Sequence, residues 1–237
     1  MNTNPLPKRF YKTVAVTAGN DGFAISLDGK PIHTPARSEL AVASRALADE
    51  IAVEWDTQGE RVDPATMPMT RRANTALDRV RGREAEIVEE VVDYAASDLL
   101  CYRAERPEGL VTQQQLHWDP VLAWTKDALA APFSIGTGIT HVAQDENSLA
   151  RIREALSVHD FYALTPLHTM TTLTGSALLA LALAEGRLDP DAVWQAAHVD
   201  EDWQVSQWGE DAEAKARRTL RRAEFDGDVR FLGHVNR

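Results

Sequence analysis

Cysteine occurs once in these 237 residues, at Cys101, so the chain can close no internal disulfide and cannot hold zinc through a cysteine cluster. That scarcity points to a reducing compartment. Positive charge is also short: 25 Lys+Arg stand against 36 Asp+Glu, a net charge of -11. A phosphate backbone would be repelled by such a field, which argues against nucleic acid as a partner. An acidic surface suits basic protein partners, or simply keeps the chain dispersed. Long apolar runs are missing as well. The longest, GSALLALALA from Gly175 to Ala184, is about half of the roughly 20 residues that span a bilayer, and it reads as a buried helix rather than a membrane insertion. The opening segment MNTNPLPKRFYK has no apolar core of signal-peptide length, and a soluble chain is expected. GxGxxG, P-loop and GxSxG patterns are absent too, and GTGIT at Gly136–Thr140 lacks a lysine and looks like a loop. No cofactor is therefore expected.

What is present has the balance of a globular protein, 44% hydrophobic and 26% charged, in a chain long enough for one large domain or two small ones. RFYKTVAV and GFAISLDGKPIHT alternate as strands do, with hairpin turns at Asn20-Asp21-Gly22 and Asp28-Gly29. From Ser38 the period changes. Leu40, Leu47, Ile51 and Trp55 fall near one helical face, with Ser38 as N-cap and Gly59 as stop. The aperiodic ERVDPATMPMT then marks a boundary between a β-rich N-terminal domain with its linking helix (1–66) and a helical C-terminal domain (67–237). Helices are expected over 71–80, 83–100, 113–129, 147–157, 161–185 and 190 to about 224, the last opened by Asp189-Pro190. The fold class is α+β.

Among chemistry-bearing residues, His159-Asp160 resembles the centre of a metal-dependent phosphohydrolase site, which His117, Asp119 and His168 could complete. Against this, a His-Asp pair arises readily by chance, and Asp160 equally fits a helix N-cap. Trp55 reads as a packing residue at the domain junction, with a partner contact as the alternative. Trp118 and Trp124 read as core, and Met67 and Met69 as linker packing.

The segment HVDEDWQVSQWGEDAEA, His198 to Ala214, sets two tryptophans among six carboxylates. On one continuous helix, at about 100° per residue, Trp194, His198, Glu201, Val205 and Trp208 share a stripe, while Val199 and Trp203 lie nearly opposite with Ala192 and Ala196. A helix with two apolar faces can bury only one against its own domain. Glu201 at the centre of the stripe is either paired with His198 three residues away or faces a cation from another protein.

Several stretches together resemble one family: RFYK, DGKPIHTPAR, EWDTQGERVDPATMPMTRRANTALDRV, LLCYRAERPEGLVTQQQLHWDPVLAW and DEDWQVSQWGEDAEA. They are similar, in order and spacing from about Phe10 to Glu224, to the F1-ATPase assembly chaperones, known in mitochondria as ATP synthase F1 complex assembly factor 2. The resemblance implies a non-enzymatic chaperone that holds the free α subunit of F1, covering the surface later met by β. It implies a β-rich domain followed by a helical one. It also places the family's critical glutamate on Glu201, beside Asp200 and Asp202, so that the expected partner surface is Trp194, His198, Asp200, Glu201, Asp202, Val205 and Trp208. No presequence is visible, so the expectation is a bacterial cytoplasmic member, or a processed chain of the mitochondrial matrix, acting as a monomer. A metal-dependent hydrolase built on His117, His159, Asp160 and His168 is the alternative.

Overall fold

The computed structural model describes residues 6–19, 22–138 and 140–235. The N-terminal layer is a small sheet centred on β2 (Gly22–Leu27), which pairs antiparallel with β1 (Val14–Gly19), β3 (Lys30–Pro31) and β4 (Ala41–Val42). The register Val14↔Leu27 to Gly19↔Gly22 leaves the first expected turn between paired glycines, with Asn20 and Asp21 outside the described residues. Gly22 has φ +115, and a Cβ there would sit 2.4 Å from the Val42 carbonyl oxygen, so only glycine fits. Asp28 and Gly29, both at positive φ (48° and 78°), make the second turn as expected.

The first helix starts later than its periodicity suggests. α1 spans Arg45–Asp56, capped by Ser44 rather than Ser38, and it ends before Gly59. Residues before it are taken by the sheet: Phe23 pairs with Val42, and the Leu40 N–H donates to the Ile32 carbonyl. Leu40 is nevertheless fully buried, packing with Leu47 and Ile51 from the strand side. Propensity for helix lost to strand pairing, the usual tertiary override.

A single-turn 3-10 segment at Pro64–Thr66 leads into α2 (Pro68–Thr75), which runs on as a π turn over Ala76–Val80. The Glu54 carboxylate reaches from α1 to accept the N–H groups of Met69 (2.6 Å) and Thr70 (2.8 Å). It thereby satisfies donors that the start of α2 leaves open. Farther along α2, the buried Arg72 guanidinium donates to Asp228 Oδ1 at 2.6 Å and to the Glu224 carbonyl at 2.6 Å. It lies flat on Gly227, where a Cβ would come within 2.6 Å of Nη2. These ties carry the sheet's core across the 66/67 position: Ile25, Val42, Leu47 and Ile51 share a cluster with Met69, Ala73, Tyr162 and Phe231.

The larger helical layer comprises α3 (Glu84–Ala96), α4 (Glu108–Leu129), α5 (Glu146–Ser157), α6 (Phe161–Thr174) and α7 (Ala177–Ala184). A two-residue parallel pair, β5 (Tyr102–Arg103) with β6 (Gly136–Thr137), sits beside them. α7, apolar on every side, is the buried centre, as a helix without a polar face must be. The expected single helix over 161–185 is interrupted between α6 and α7. Gly175 takes a left-handed conformation (φ 72°), and Ser176 starts a new helix by accepting from the Leu179 N–H at 3.0 Å. Asp98, fully buried, accepts from Leu100 N and Leu178 N, each at 3.1 Å. Burial pushes its carboxyl up to about 6.

The C-terminal helix expected over 190–224 is three helices: α8 (Pro190–Ala197), α9 (Val199–Trp208) and α10 (Ala212–Val235). Side chains have taken the acceptors that would have continued α8. The Trp118 indole donates to Ala196 O (2.7 Å) and the His198 ring bonds Trp194 O (2.8 Å), while the His198 N–H turns to Gln195 O (3.1 Å). Among the described residues, no helix is long and apolar enough to cross a membrane.

Candidate functional site

The break at His198 divides the expected stripe. Trp194 and His198 belong to α8 and its end, and both are buried, at 6% and 1% exposure, with their rings 4.0 Å apart. They line the core beside Phe225 and are not surface contacts, which corrects the single-helix reading. Glu201, Val205 and Trp208 lie beyond the break, on α9, and all three are exposed. α9 buries only Val199.

Three consecutive carboxylates open α9, where the helix dipole favours negative charge. Two of them fasten the helix. Asp200 accepts from Gln114 Nε2 at 2.7 Å, and Asp202 pairs closely with Arg218. Trp203 adds a third tie: its ring lies on Gly109 of α4, where a Cβ would be 2.3 Å from Cη2. Glu201 is held more loosely. Its nearest cation is Arg221 Nη1 at 3.5 Å, and the other terminal nitrogen of that guanidinium donates to the Leu173 carbonyl at 2.6 Å. His198 Nε2 approaches Glu201 to 4.0 Å. Burial holds the His198 imidazole below its ordinary value, so the ring is neutral at pH 7 and this approach is no ion pair.

Gly209 (φ 85°, ψ 173°) turns the chain sharply from α9 into α10, in a backbone region essentially reserved for glycine. The two helices enclose a cleft of about 400 Å³ lined by Glu201, Val205, Trp208, Ala214, Arg217 and Arg221. On the other side of α9 lies a second hollow of about 450 Å³, with Gln113, His117, Gln195 and Trp203 in its wall. Trp208 is 79% exposed at the tip of the arm, and Leu220 on α10 is 70% exposed. Single exposed apolar residues are ordinary; here a tryptophan, a valine and a leucine are exposed on two consecutive helices. Leu220, Arg221 and Gly109 were not among the residues singled out from the sequence. Trp208-Gly209 carried a readable helix stop, but the break at His198 has no glycine or proline to announce it.

Three residues of the hydrolase alternative are occupied elsewhere. Asp160 caps α6 by accepting from Ala163 N (2.9 Å), His168 meets Glu90 (2.9 Å), and Asp119 pairs with Arg103 (2.8 Å). His159 lies 3.9 Å from Glu185, and His117 borders the hollow beside α9. Among the described residues, no three His, Cys, Asp or Glu side chains gather as a metal site would require. Trp55 is half-buried, its ring edge-on to Tyr11 at 5.7 Å, and the Tyr11 hydroxyl donates to its carbonyl.

The α9–α10 arm thus exposes both apolar area and charge. The sequence model described as ATP12 chaperone protein matches residues 8–126, half of the chain. The chain belongs to the ATP12 chaperone family. The curated relative "Protein atp12, mitochondrial" of Schizosaccharomyces pombe is 25% identical over 223 residues, covering 87% of this chain and 77% of its own. Two solved structures agree over nearly the whole fold. The Atu1473 protein of Agrobacterium tumefaciens is 46% identical with a TM-score of 0.93, covering 98% of this chain and 87% of that one. Atp12 of Paracoccus denitrificans is 38% identical with a TM-score of 0.92, covering 98% and 99%. An Asp-to-Lys variant of the Paracoccus protein also gives 0.92, so the same fold accommodates a carboxylate-to-lysine reversal in that relative. The arm lies outside the residues matched by the family model but within the length covered by the structural likenesses.

Proposed function

We propose that this assembly chaperone of the F1 sector of ATP synthase binds the free α subunit and covers its subunit interface until β replaces it. The observation that carries the reading is the α9–α10 arm. α9 is secured on one side through Asp200, Asp202 and Trp203, yet it buries only Val199 and presents Glu201, Val205 and Trp208 outward. A fixed helix loses little freedom on binding, so more of each contact appears as affinity. Trp208 supplies large apolar area in a side chain with few rotatable bonds, the usual make-up of a binding hot spot. Glu201, held only loosely by Arg221 at 3.5 Å, is placed to meet an arginine or lysine of the client, and complementary charge sets orientation and encounter rate. The chaperone acts as a monomer, in the compartment where F1 is built: the bacterial cytoplasm, or the mitochondrial matrix for a eukaryotic chain. Co-purification with isolated α, isolated β and assembled F1 tests the reading. The expected result is capture of α alone; equal capture of assembled F1 would contradict a masked interface.

A further inference from the structure

The segment KRFYK puts three cations into five residues of a chain whose net charge is -11. Its side chains alternate as in an extended strand. Arg9 and Tyr11 turn inward: the Arg9 guanidinium donates to the carbonyls of Gln58 (2.6 Å) and Asp56 (2.9 Å), and Tyr11 is buried against Trp55. Lys8, Phe10 and Lys12 turn outward, all exposed, with the Phe10 ring at 76%.

Lys8 also stands directly opposite Arg61 across an antiparallel bridge. The flanking bonds, Arg9 N to Glu60 O and Val62 N to Pro7 O (both 2.9 Å), mark this as a non-hydrogen-bonded pair, the kind in which facing side chains lie closest. Like charges so placed destabilise a strand pair. Arg61 turns part of its guanidinium to the Leu6 carbonyl, but among the described residues neither Lys8, Lys12 nor Arg61 has a carboxylate in ion-pair range. The nearby Asp28 carboxylate is occupied by the N–H groups of Lys12 (3.1 Å) and Thr13 (2.9 Å). A shallow depression of about 590 Å³ runs beside Lys8, Gln58, Glu60 and Arg61. Lysines at a strand edge are a common guard against edge-to-edge association. Guarding does not account for a phenylalanine left bare between them.

We propose that this outer face, Lys8, Phe10, Lys12 and Arg61, is a second contact for the client, taking an acidic, extended segment that carries an apolar side chain. The inference rests on the reading that the free α subunit is the client, and it adds a second grip remote in sequence from the α9–α10 arm. Carboxylates of the client relieve the Lys8–Arg61 repulsion, and the apolar side chain covers Phe10.

Lys8→Glu separates a binding role from a structural one. It turns the like-charge pair with Arg61 into an opposite-charge pair, so the melting temperature is unchanged or slightly raised. Capture of isolated α weakens nonetheless, by about tenfold for Lys8→Glu/Lys12→Glu at about 0.1 M salt. The difference from wild type shrinks at about 1 M, where the screening length falls from about 10 to about 3 Å. Phe10→Ser weakens capture at both salt concentrations. Unaltered binding of α by Lys8→Glu/Lys12→Glu, in a preparation where Glu201→Lys abolishes it, overturns this second contact and leaves the α-subunit reading standing. Wild-type protein that does not hold α overturns both. A change in sedimentation between wild type and Lys8→Glu also overturns the proposal, because it makes the face a contact between copies of this chain.

Discussion

Reversing the charge of Glu201 to lysine tests the arm most directly. Glu201 is 52% exposed, among the described residues its only close cation is Arg221 at 3.5 Å, and the neutral His198 ring lies 4.0 Å away. An exposed pair of that kind contributes about 0–1 kcal/mol, and lysine is as good a helix former as glutamate. Reversal adds repulsion with Arg221 and weakens the favourable interaction of negative charge with the start of α9, a further ~0.3–1 kcal/mol. The fold should therefore lose about 1 kcal/mol, a fall of roughly 2–4 °C in melting temperature for a chain of this size. The client contact has more to lose. If Glu201 meets a cation in a partly desolvated interface, removing one partner costs roughly 2–5 kcal/mol and reversal no less, which is well over tenfold in affinity. Thermal melts and α-subunit capture on one preparation separate the two effects. A near-normal melt with lost capture is expected. A folded Glu201→Lys protein that binds α like wild type would refute the assignment, and so would a loss of capture that merely tracks a large fall in stability.

Three further outcomes follow from the packing. Gly109→Ala drives a methyl into the Trp203 ring, and since α9 is thinly buried the ring should swing out. Red-shifted tryptophan emission and weaker α capture are expected with little change in melting temperature; an unchanged spectrum would show that the ring relaxes in place. Trp55→Arg removes a half-buried ring packed on Tyr11 and should cost roughly 3 kcal/mol, or roughly 6–12 °C; wild-type stability with lost client binding would make Trp55 a surface contact instead. Asp98 has a folded value of about 6, above the ordinary 3.8, so the folded chain holds this proton more tightly than the unfolded one. Its contribution to stability therefore rises as pH falls from above 6 to below about 4. Denaturation midpoints at about pH 7 and about pH 4.5 should show this trend superimposed on the rest in wild type and missing in Asp98→Asn; equal pH slopes would place the proton elsewhere.

The sequence by itself determined the α+β class, the place of the four-stranded sheet ahead of the helical layer, and the Asp28-Gly29 turn, because alternation, helical period and left-handed turn residues are local properties of the chain. It also determined that GSALLALALA is an interior helix, since a segment apolar on every side has no face for water. The stop at Trp208-Gly209 and the restart at Gly175-Ser176 carry local signals too, a glycine and a capping serine, but the helices expected over 161–185 and 190–224 ran through both. Tertiary structure decided the rest. Ser38–Ala43 satisfies the helical period toward Leu47 and Ile51, yet β2 recruits it as a strand because the sheet offers paired backbone groups and buries Leu40 just as well. The wheel that united Trp194, His198, Glu201, Val205 and Trp208 assumed a continuous helix. Nothing local breaks it at His198; the indole of Trp118, 78 positions away from Ala196 in the chain, takes the carbonyl that the helix needed. That one bond, together with the His198 ring on Trp194 O, sends two of the stripe's five residues into the core and leaves Glu201, Val205 and Trp208 outside. Period can tell which residues would share a face of an unbroken helix, but only the packed chain decides where the helix breaks and which part of that face reaches water.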